Sequence, residues 1–566
     1  MALAGTTARR VTIVRCKSGP GGPLPPTNTG FDVRLRKVLV PAVALAVLAG
    51  TVVGCSSSGS GSDLVTANGT EPQHPLIPTD TNENGGGRIV DRLFAGLEYY
   101  DADGKPHNEV ADSITSPDRK TWTITLKDGW TFSDGTPVTA KSFVDAWNYG
   151  ALSSNKQVQN WAFADIAGAD AVMASPPTAQ TMSGLKVVDD KTFTVELTEP
   201  NIDFQLSLGF APFYPLPAAF YRDPQGFGEH PIGNGPYMMA GPDAWQHNVA
   251  LSVKPNPAYH GGRPARNKGL KFVFYQSLDT AYSDLQAGNL DLDDTVPRSA
   301  LATFKQDLGD HAIEKPTAQN QHIGIQIGHA PHFTGPEGVL RRKAISLAVN
   351  REQIAQAIFN GTRIPAKDFT ASSLPGFDGN LPGTDLLAYN PDRARQLWAQ
   401  ADAISPWAGK YQIAYNSDGD HQAWIDAVAN SIKNTLGIDA EGAPYPTFKT
   451  IRDQITSHTF DSAFRYGWQG DYPSMLEFLT PQYLSTSQTN DVEYKNPEFD
   501  AALRAAQAAA TPEESYRATA KAQALLLADM ADIPLFDYVA AAGTSTKVTA
   551  AKLSWSGLFD YENVTG

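Results

Sequence analysis

The spacing of apolar residues indicates β-strands in the first 200 residues of the chain. Two stretches alternate apolar with polar residues, which is the period of a half-buried strand. Their apolar positions are Trp122, Ile124 and Leu126 in the first stretch and Phe193, Val195 and Leu197 in the second. Asp128-Gly129 predicts a hairpin whose second strand carries Trp130 and Phe132, and Asp189-Asp190 predicts the turn of another. This region is therefore expected to form a small β-rich subdomain.

The second half alternates short apolar runs with longer amphipathic stretches. Strands are predicted at 323–327, 411–415, 438–442, 460–466 and 533–539, and helices at 339–349, 422–436 and 447–458. Further helices are expected to begin at Asn390-Pro391, Asn496-Pro497 and Thr511-Pro512, because proline is favoured in a first helical turn. This alternation predicts an α/β fold with a doubly wound, largely parallel sheet. Nearer the N-terminus, a helix at 89–97 is predicted to follow a polar loop at 82–87.

The N-terminal stretch has the pattern of a secretory signal. Arg34, Arg36 and Lys37 precede a short apolar run, 38–50, and Val52-Val53-Gly54-Cys55 follows it. The run is too short and too poorly flanked to predict a transmembrane helix. We expect cleavage before Cys55 and a Ser/Gly tether at 55–62. The first 32 residues do not resemble a signal peptide, so translation from Val33 is a second hypothesis beside Met1.

Composition restricts the class of partner. The 566 residues carry a formal charge of −15, and the part after residue 54 holds 38 basic and 59 acidic residues. An acidic surface repels phosphate backbones, which argues against nucleic-acid binding. Cleavage would remove Cys16 and leave Cys55 as the only cysteine, so no disulfide is expected. The length predicts two or three lobes with a large core.

One loop combines a carboxylate with glycines and aromatic rings. It runs from residue 464 to 472 as Phe-Arg-Tyr-Gly-Trp-Gln-Gly-Asp-Tyr and follows the strand predicted at 460–466. Ligands of open α/β sheets lie at the carboxyl ends of strands. Asp471 would supply a fixed negative charge for a cationic head, while Trp468 and Tyr472 provide apolar walls. The same Asp also suits an ordinary turn.

Seven collinear segments resemble the family-5 solute-binding proteins of ABC importers. They are 126–140 (LKDGWTFSDGTPVTA), 187–193, 231–237 (PIGNGPY), 256–259 (NPAY), 285–291 (LQAGNLD), 340–348 (LRRKAISLA) and the loop at 467–471 (GWQGD). Preceded by a lipobox-like Val-Val-Gly-Cys, they span nearly the whole chain after residue 55. This family carries dipeptides, oligopeptides, nickel complexes and related solutes.

The resemblance implies a two-lobed periplasmic-binding-protein-like fold of type II, in its large three-subdomain variant, with a hinge between the lobes. It divides the chain into an extension and signal peptide (1–54), the tether (55–62), lobe I (63–325, with a β-rich subdomain at about 102–226), lobe II (326–536) and a return to lobe I (537–566). The hinge crossings are expected near 320–328 and 535–542.

The resemblance also implies a function. A non-enzymatic, monomeric receptor, anchored by lipid on Cys55 at the outer face of the bacterial membrane, would bind short peptides and deliver them to ABC permease subunits. ATP would be hydrolysed by a separate subunit, and no cofactor is expected. In peptide-binding members, the Asp that ends the Gly-Trp-x-x pattern binds the ligand's α-ammonium, and Asp471 matches it.

The predicted contacts therefore come from two segments, one in each lobe. They are Gly467, Trp468, Gln469, Gly470 and Asp471, and on the opposite side Asn82, Glu83 and Asn84. Two of these assignments have an alternative: Trp468 also suits the core, and the segment at 82–84 also suits a polar surface loop. Tyr237, Trp245, Trp424 and Tyr538 are further aromatic candidates.

Other functions remain open at this stage. A nickel-chelate or haem carrier of the same family is one, a secreted hydrolase without a recognisable motif is another, and a sensor that uses the same cleft to signal is a third. His329 and His332 form an H-x-x-H, but Pro331 places it in a loop and no third ligand is near in sequence. Ser153-Ser154-Asn155-Lys156 fits S-x-x-K without its companion motifs, so we predict neither a metal site nor an enzyme.

Overall fold

The computed structural model describes residues 64–487 and 489–566, with the side chain of Asp418 also left out of the description. Cys55, the predicted signal segment and the tether lie outside these ranges, so lipid anchoring stays a prediction. Within the described ranges, no helix is long and apolar enough to cross a bilayer.

The described residues form 18 strands and 15 α-helices. The strands are β1 Val65–Gly69, β2 Glu98–Tyr100, β3 Pro106–Asn108, β4 Ala111–Thr115, β5 Thr121–Leu126, β6 Leu185–Val187, β7 Thr192–Glu196, β8 Tyr237–Met239, β9 Trp245–Gln246, β10 Ala250–Pro255, β11 Leu270–Phe274, β12 Leu292–Asp293, β13 Ala312–Ile325, β14 Arg363–Pro365, β15 Tyr411–Asn416, β16 Ala440–Tyr445, β17 Ala463–Tyr466 and β18 Ile533–Thr544. The helices are α1 Asn84–Leu93, α2 Ala140–Ala151, α3 Ala169–Met173, α4 Asp203–Ser207, α5 Pro224–Glu229, α6 Leu278–Gln286, α7 Phe304–Leu308, α8 Gly335–Ala348, α9 Arg351–Phe359, α10 Pro391–Ile404, α11 Gln422–Leu436, α12 Phe448–Thr456, α13 Met475–Tyr483, α14 Pro497–Gln507 and α15 Pro512–Asp529.

Two large apolar cores separate the molecule into two lobes. The first core draws on residues between Val65 and Leu292 and again between Ala542 and Val564. The second draws on residues between Ile323 and Phe536. The chain therefore enters the second lobe once and returns to the first near its end.

One sheet runs through both lobes and is mixed, which corrects the largely parallel sheet predicted from the sequence. Its main path is β16-β15-β17-β13-β18-β12-β1-β11-β10-β8. β15 is parallel to β16 and β17, and β1 is parallel to β11 and β12, but β13 is antiparallel to both β17 and β18. The prediction failed because β13 and β18 are long strands that pair with each other across the junction between lobes, and no helix crossover joins them.

A separate four-stranded sheet, β4-β5-β7-β6, lies in the first lobe. The second predicted hairpin is confirmed by the pairing of β6 with β7. The first is wrong: β5 pairs with β4 on one edge and β7 on the other, so the segment after Asp128-Gly129 finds no free edge. Trp130 and Phe132 are nevertheless buried, and only Thr131 and Pro137 form an isolated bridge there.

Helix α1 begins earlier than its sequence predicts. The segment read as a polar loop, 82–87, contains the first helical turn, which starts at Asn84. The Glu83 carboxylate caps it by accepting hydrogen bonds from the N–H groups of Gly85 (2.6 Å) and Gly86 (2.8 Å). Three consecutive glycines predict a loop from helix propensity alone, and this cap outweighs that propensity.

The two lobes contact each other on both sides of the gap between them. Arg298 and Asp420 form an ion pair of 3.0 Å from Nη2 to Oδ1. On the other side, the Ser474 hydroxyl donates to Asp203, and the Ile202 N–H donates to the Gln507 carbonyl at 2.7 Å. The structure is thus a closed arrangement of the lobes.

Candidate functional site

Two cavities lie in the cleft between the lobes. The larger, cavity A, has a volume of about 500 Å³, and the smaller, cavity B, about 360 Å³. Both are lined by residues of both lobes, and they share a common boundary. The shared residues are Asn84, Arg88, Gln469, Ser556 and Leu558. The cavities are therefore two parts of one cleft, which is large enough for a small peptide-sized molecule.

Cavity A brings together six of the eight residues predicted to contact ligand. Gln469, Gly470 and Asp471 lie on one side, and Asn82, Glu83 and Asn84 on the other. Gly467 and Trp468 line neither cavity. Of the aromatic candidates, Trp424 and Tyr538 line cavity B, whereas Tyr237 and Trp245 line neither cavity.

The loop after β17 is fixed to β13 by backbone hydrogen bonds. Asn320 N–H donates to the Trp468 carbonyl, and the Asn320 side-chain oxygen accepts from Trp468 N–H, both at 2.9 Å. Gly470 N–H donates to the Ala318 carbonyl at 2.9 Å. A Cβ on Gly467 would lie 2.6 Å from the Asn320 carbonyl oxygen, so only glycine fits there. These hydrogen bonds set the position of Asp471.

Trp468 supports the loop from behind. Its ring packs against a small apolar cluster that includes Met475 and Phe478. Its indole Nε1–H donates to Glu477 Oε1 at 2.8 Å. Glu477 is 4% exposed, and burial, followed by the nearby charge of Asp471, raises its pKa well above the ordinary value. The structure thus gives Trp468 a positioning contact, and its predicted contact with ligand stays a prediction.

Asp471 is the one carboxylate lining the two cavities whose oxygens accept no hydrogen bond from, and form no ion pair with, any described residue. The other carboxylates of cavity A have partners in the described structure. Glu83 caps α1, Asp91 accepts from Tyr214, Asp101 from His107, Asp560 from Asn563, and Glu562 pairs with Arg92. Burial raises the pKa of Asp471 to about 7. A cation from outside the protein would therefore find an acceptor that the fold leaves open.

The opposite wall contains arginines that sequence reasoning missed. Arg88 donates to Asp294 at 2.7 Å and to the Asn68 carbonyl at 2.9 Å, and Arg263 pairs with Glu109 at 3.0 Å. Both ion pairs join residues more than 150 positions apart, so no local sequence pattern predicts them.

The open carboxylate predicts a pH dependence for a ligand with an ammonium group. Binding needs ionised Asp471, and a pKa near 7 leaves it mostly protonated below that pH. Affinity should therefore fall as the pH is lowered from 7 to 5, because burial raises the pKa of Asp471 and protonation removes its charge. Calorimetry with a free-amine tetrapeptide measures this. In Asp471→Asn the dependence should disappear, and a flat wild-type profile would contradict the assignment.

The H-x-x-H histidines are separately paired. His329 Nδ1 lies 2.8 Å from Glu493, and His332 Nδ1 lies 2.8 Å from Glu337. The described residues contain no group of three or more His, Cys, Asp or Glu side chains arranged to hold a metal ion. The two histidines thus serve local contacts on the surface of the second lobe.

Comparisons with known proteins agree with this architecture. The family described as "Bacterial extracellular solute-binding proteins, family 5 Middle" matches residues 105–490, more than half of the chain. The oligopeptide-binding protein OppA of Bacillus subtilis strain 168 is 26% identical over 482 residues, covering 83% of this chain and 86% of OppA. The periplasmic oligopeptide-binding protein OppA of Salmonella typhimurium strain LT2 is 28% identical over 492 residues, covering 84% and 87%.

Solved structures share the fold. The murein tripeptide binding protein MppA of Escherichia coli superposes with a TM-score of 0.73 at 23% identity, covering 88% of this chain and 97% of MppA. Haemophilus influenzae OppA in complex with RPPGFSPFR gives a TM-score of 0.70 at 24% identity, covering 89% and 98%. The fold is thus the two-lobed fold of periplasmic binding proteins, and the chain belongs to the bacterial extracellular solute-binding proteins of family 5.

Proposed function

We propose that this protein captures short peptides outside the cell and delivers them to the permease of an ABC importer. The observation that carries the proposal is Asp471, a carboxylate in a closed interlobe cleft with no partner from the described protein. A peptide's α-ammonium is the cation of matching charge and size. Inside a closed cleft such a pair is a charge-assisted hydrogen bond shielded from water, which makes it strong.

The remaining lining suits the body of a peptide. Gln469 pairs with Gln319 in an isolated antiparallel bridge at the cleft, so extended backbone lies beside the space a ligand would fill. An extended ligand can add its own N–H and C=O groups to such an edge. Relatives named oligopeptide-binding and dipeptide-binding proteins support the same class of ligand.

We propose that the protein works by closing its two lobes around the ligand. Lobe I would comprise residues 63–325 and 537–566, and lobe II residues 326–536, with β13 and β18 as the hinge strands. A ligand held by Asp471 on one lobe and by the segment 82–84 on the other would favour the closed arrangement. The permease would recognise that closed form, Cys55 would carry the lipid anchor, and ATP hydrolysis would occur in another subunit. The protein itself would act as a monomer and carry out no catalysis.

Native mass spectrometry of the protein as purified tests the proposal. We expect an added mass equal to short peptides, which disappears on mild unfolding and returns after incubation with a tri- to pentapeptide mixture. A haem or metal-chelate mass in place of peptide would favour the carrier alternative. Cleavage of added peptides would favour the hydrolase. Failure to take up any peptide from the mixture would overturn the proposal.

A further inference from the structure

A histidine of the first lobe lies between two carboxylates, outside the cleft. His247 is in the turn between β9 and β10, its Nδ1 lies 2.8 Å from Glu71 Oε1, and its Nε2 lies 3.0 Å from Glu229 Oε2. Glu71 belongs to the segment between β1 and α1, residues 70–83, and Glu229 is the last residue of α5. None of the three lines either cavity. One imidazole ring therefore joins three parts of the chain.

These two contacts require the charged form of the ring. A neutral imidazole has one N–H donor and one bare nitrogen, an imidazolium donates from both nitrogens, and an ionised carboxylate only accepts. With a neutral ring, one of the two carboxylates would therefore face a lone pair. The hydrogen bond to Glu71 raises the pKa of His247 above its ordinary value of 6.5, and the bond to Glu229 adds to this, while burial opposes both. The geometry and the direction of the pKa shift thus agree.

Two further donors near the same turn hold Glu71. The Asn248 N–H donates to Glu71 Oε2 at 2.8 Å, and the Trp245 indole Nε1–H donates to Oε1 at 3.2 Å. The Trp245 ring also packs on the imidazole, with 4.5 Å between the ring centroids. The ring of His247 is therefore in contact with one charged group from the segment 70–83, one from α5, and an uncharged ring from β9.

The segment that carries Glu71 is bonded to the first turn of α1. The Gln73 N–H donates to Glu83 Oε1 at 3.2 Å, and the Glu83 carboxylate caps that turn. Residues 82–84 in turn line cavity A. His247 is therefore linked, through one short segment, to the first-lobe side of the cleft.

Close packing joins this segment to both α1 and α5. A Cβ added to Gly85, in the first turn of α1, would lie 2.5 Å from Thr70 Oγ1. At α5, the Leu76 N–H donates to the Gly228 carbonyl at 3.1 Å. Because interiors packed this closely transmit displacements, a change in the position of Glu71 should reach the helix that begins at the cleft.

We infer that His247 is a pH-sensitive clamp, which as an imidazolium holds Glu71 and Glu229 together and thereby fixes the segment 70–83 at the wall of cavity A. As the pH rises through the raised pKa of His247, the ring loses a proton and with it one of the two carboxylate contacts. The stability that the clamp contributes is thus fully present below pH 6.5 and is lost at higher pH. This device acts on the first lobe itself and goes beyond the proposed peptide binding.

Histidine-selective NMR titration of the wild-type protein tests the charge of the ring. The signal of His247 is assigned as the one that His247→Gln removes. We expect it to titrate above 6.5, and Glu71→Gln and Glu229→Gln should each lower its pKa, because each removes one anion from the ring. A wild-type value at or below 6.5, or a value that neither variant lowers, would overturn the inference.

Hydrogen exchange followed by mass spectrometry tests the link to the cleft. Wild type and His247→Gln are compared at about pH 6 and about pH 8.5, so that the intrinsic effect of pH on exchange cancels in their ratio. At the lower pH, residues 70–86 should exchange about 2- to 5-fold faster in the variant, which is the size of effect expected for exposed ion pairs. At the higher pH the two proteins should exchange alike.

A second histidine provides the control. His260→Gln removes an exposed histidine of the same lobe and should match the wild type at both pH values. A ratio between His247→Gln and wild type that is the same at both pH values would show that the clamp does not depend on the charge of the ring, and would overturn the inference. Neither experiment uses a peptide, so its failure would leave the proposed function standing.

Discussion

Asp471→Asn is expected to weaken the binding of a free-amine tetrapeptide by about 2–5 kcal/mol, since the ligand's ammonium would be buried without its counter-charge. The substitution keeps the size of the side chain, and the backbone bonds that fix the loop at Ala318 and Asn320 do not involve it. The loss should therefore appear as faster dissociation of the peptide and not as unfolding. Calorimetry and stopped-flow displacement measure the two quantities.

A matched control is available just before the strand that leads into this loop. Asp461 is exposed and lies just before β17, so Asp461→Asn makes the same change in net charge away from the cleft. Its affinity should equal that of the wild type. Equal affinities for Asp471→Asn and wild type would remove Asp471 from the site.

Arg263→Met is expected to lower the free energy of unfolding by about 3–5 kcal/mol, because it breaks a buried ion pair by removing one partner. Arg263 joins three parts of the first lobe: it pairs with Glu109 (3.0 Å) and Glu562 (3.1 Å) and donates to the carbonyls of Asp91 and Phe94. The Glu109 side chain is fully buried. Without Arg263 it keeps only the Tyr259 hydroxyl as a hydrogen-bond donor among the described residues. Urea unfolding followed by tryptophan fluorescence measures the change.

Two further variants near Arg263 serve as controls in this experiment. Arg266→Met removes an exposed arginine three residues away and should change stability little. Arg263→Met combined with Glu109→Gln should recover part of the loss, since the uncompensated charge is then removed. A single variant as stable as wild type would contradict the role given to this network.

Local sequence signals predicted the ends of several helices in the second lobe. Helix α11, Gln422–Leu436, was predicted to the residue, because Gly437 ends it in the left-handed conformation at φ 71°. Asn390 caps α10 as expected, and Asn350 caps α9 in the same way, each accepting from the N–H three residues later at 3.1 Å. Caps act within one turn, so sequence contains all the information they need.

Pairing between distant strands was not predictable in the same way. The antiparallel register of β13 with β18 joins residues more than 200 positions apart, and no turn residue specifies it. Likewise α1 begins at its glycines because a single carboxylate, Glu83, caps them. In both cases tertiary or capping interactions outweigh the intrinsic preference of the segment.

In the candidate site, too, the features set by local sequence were predicted and those set by distant contacts were not. The loop carrying Asp471 was located because its glycines, rings and carboxylate are contiguous and match the family pattern. The contact of Trp468 with Glu477 was missed, since it depends on α13 folding back beneath the loop.

A calorimetric cycle on Asp471 tests the central claim most directly. It uses wild type and Asp471→Asn, each with one tetrapeptide as the free amine and as its N-acetyl derivative. If the carboxylate holds the ammonium, either change alone should cost most of the affinity, and the second should then add little, giving a coupling energy of about 2 kcal/mol or more. Additive effects, or equal binding of the acetylated and free peptides by the wild type, would contradict the account.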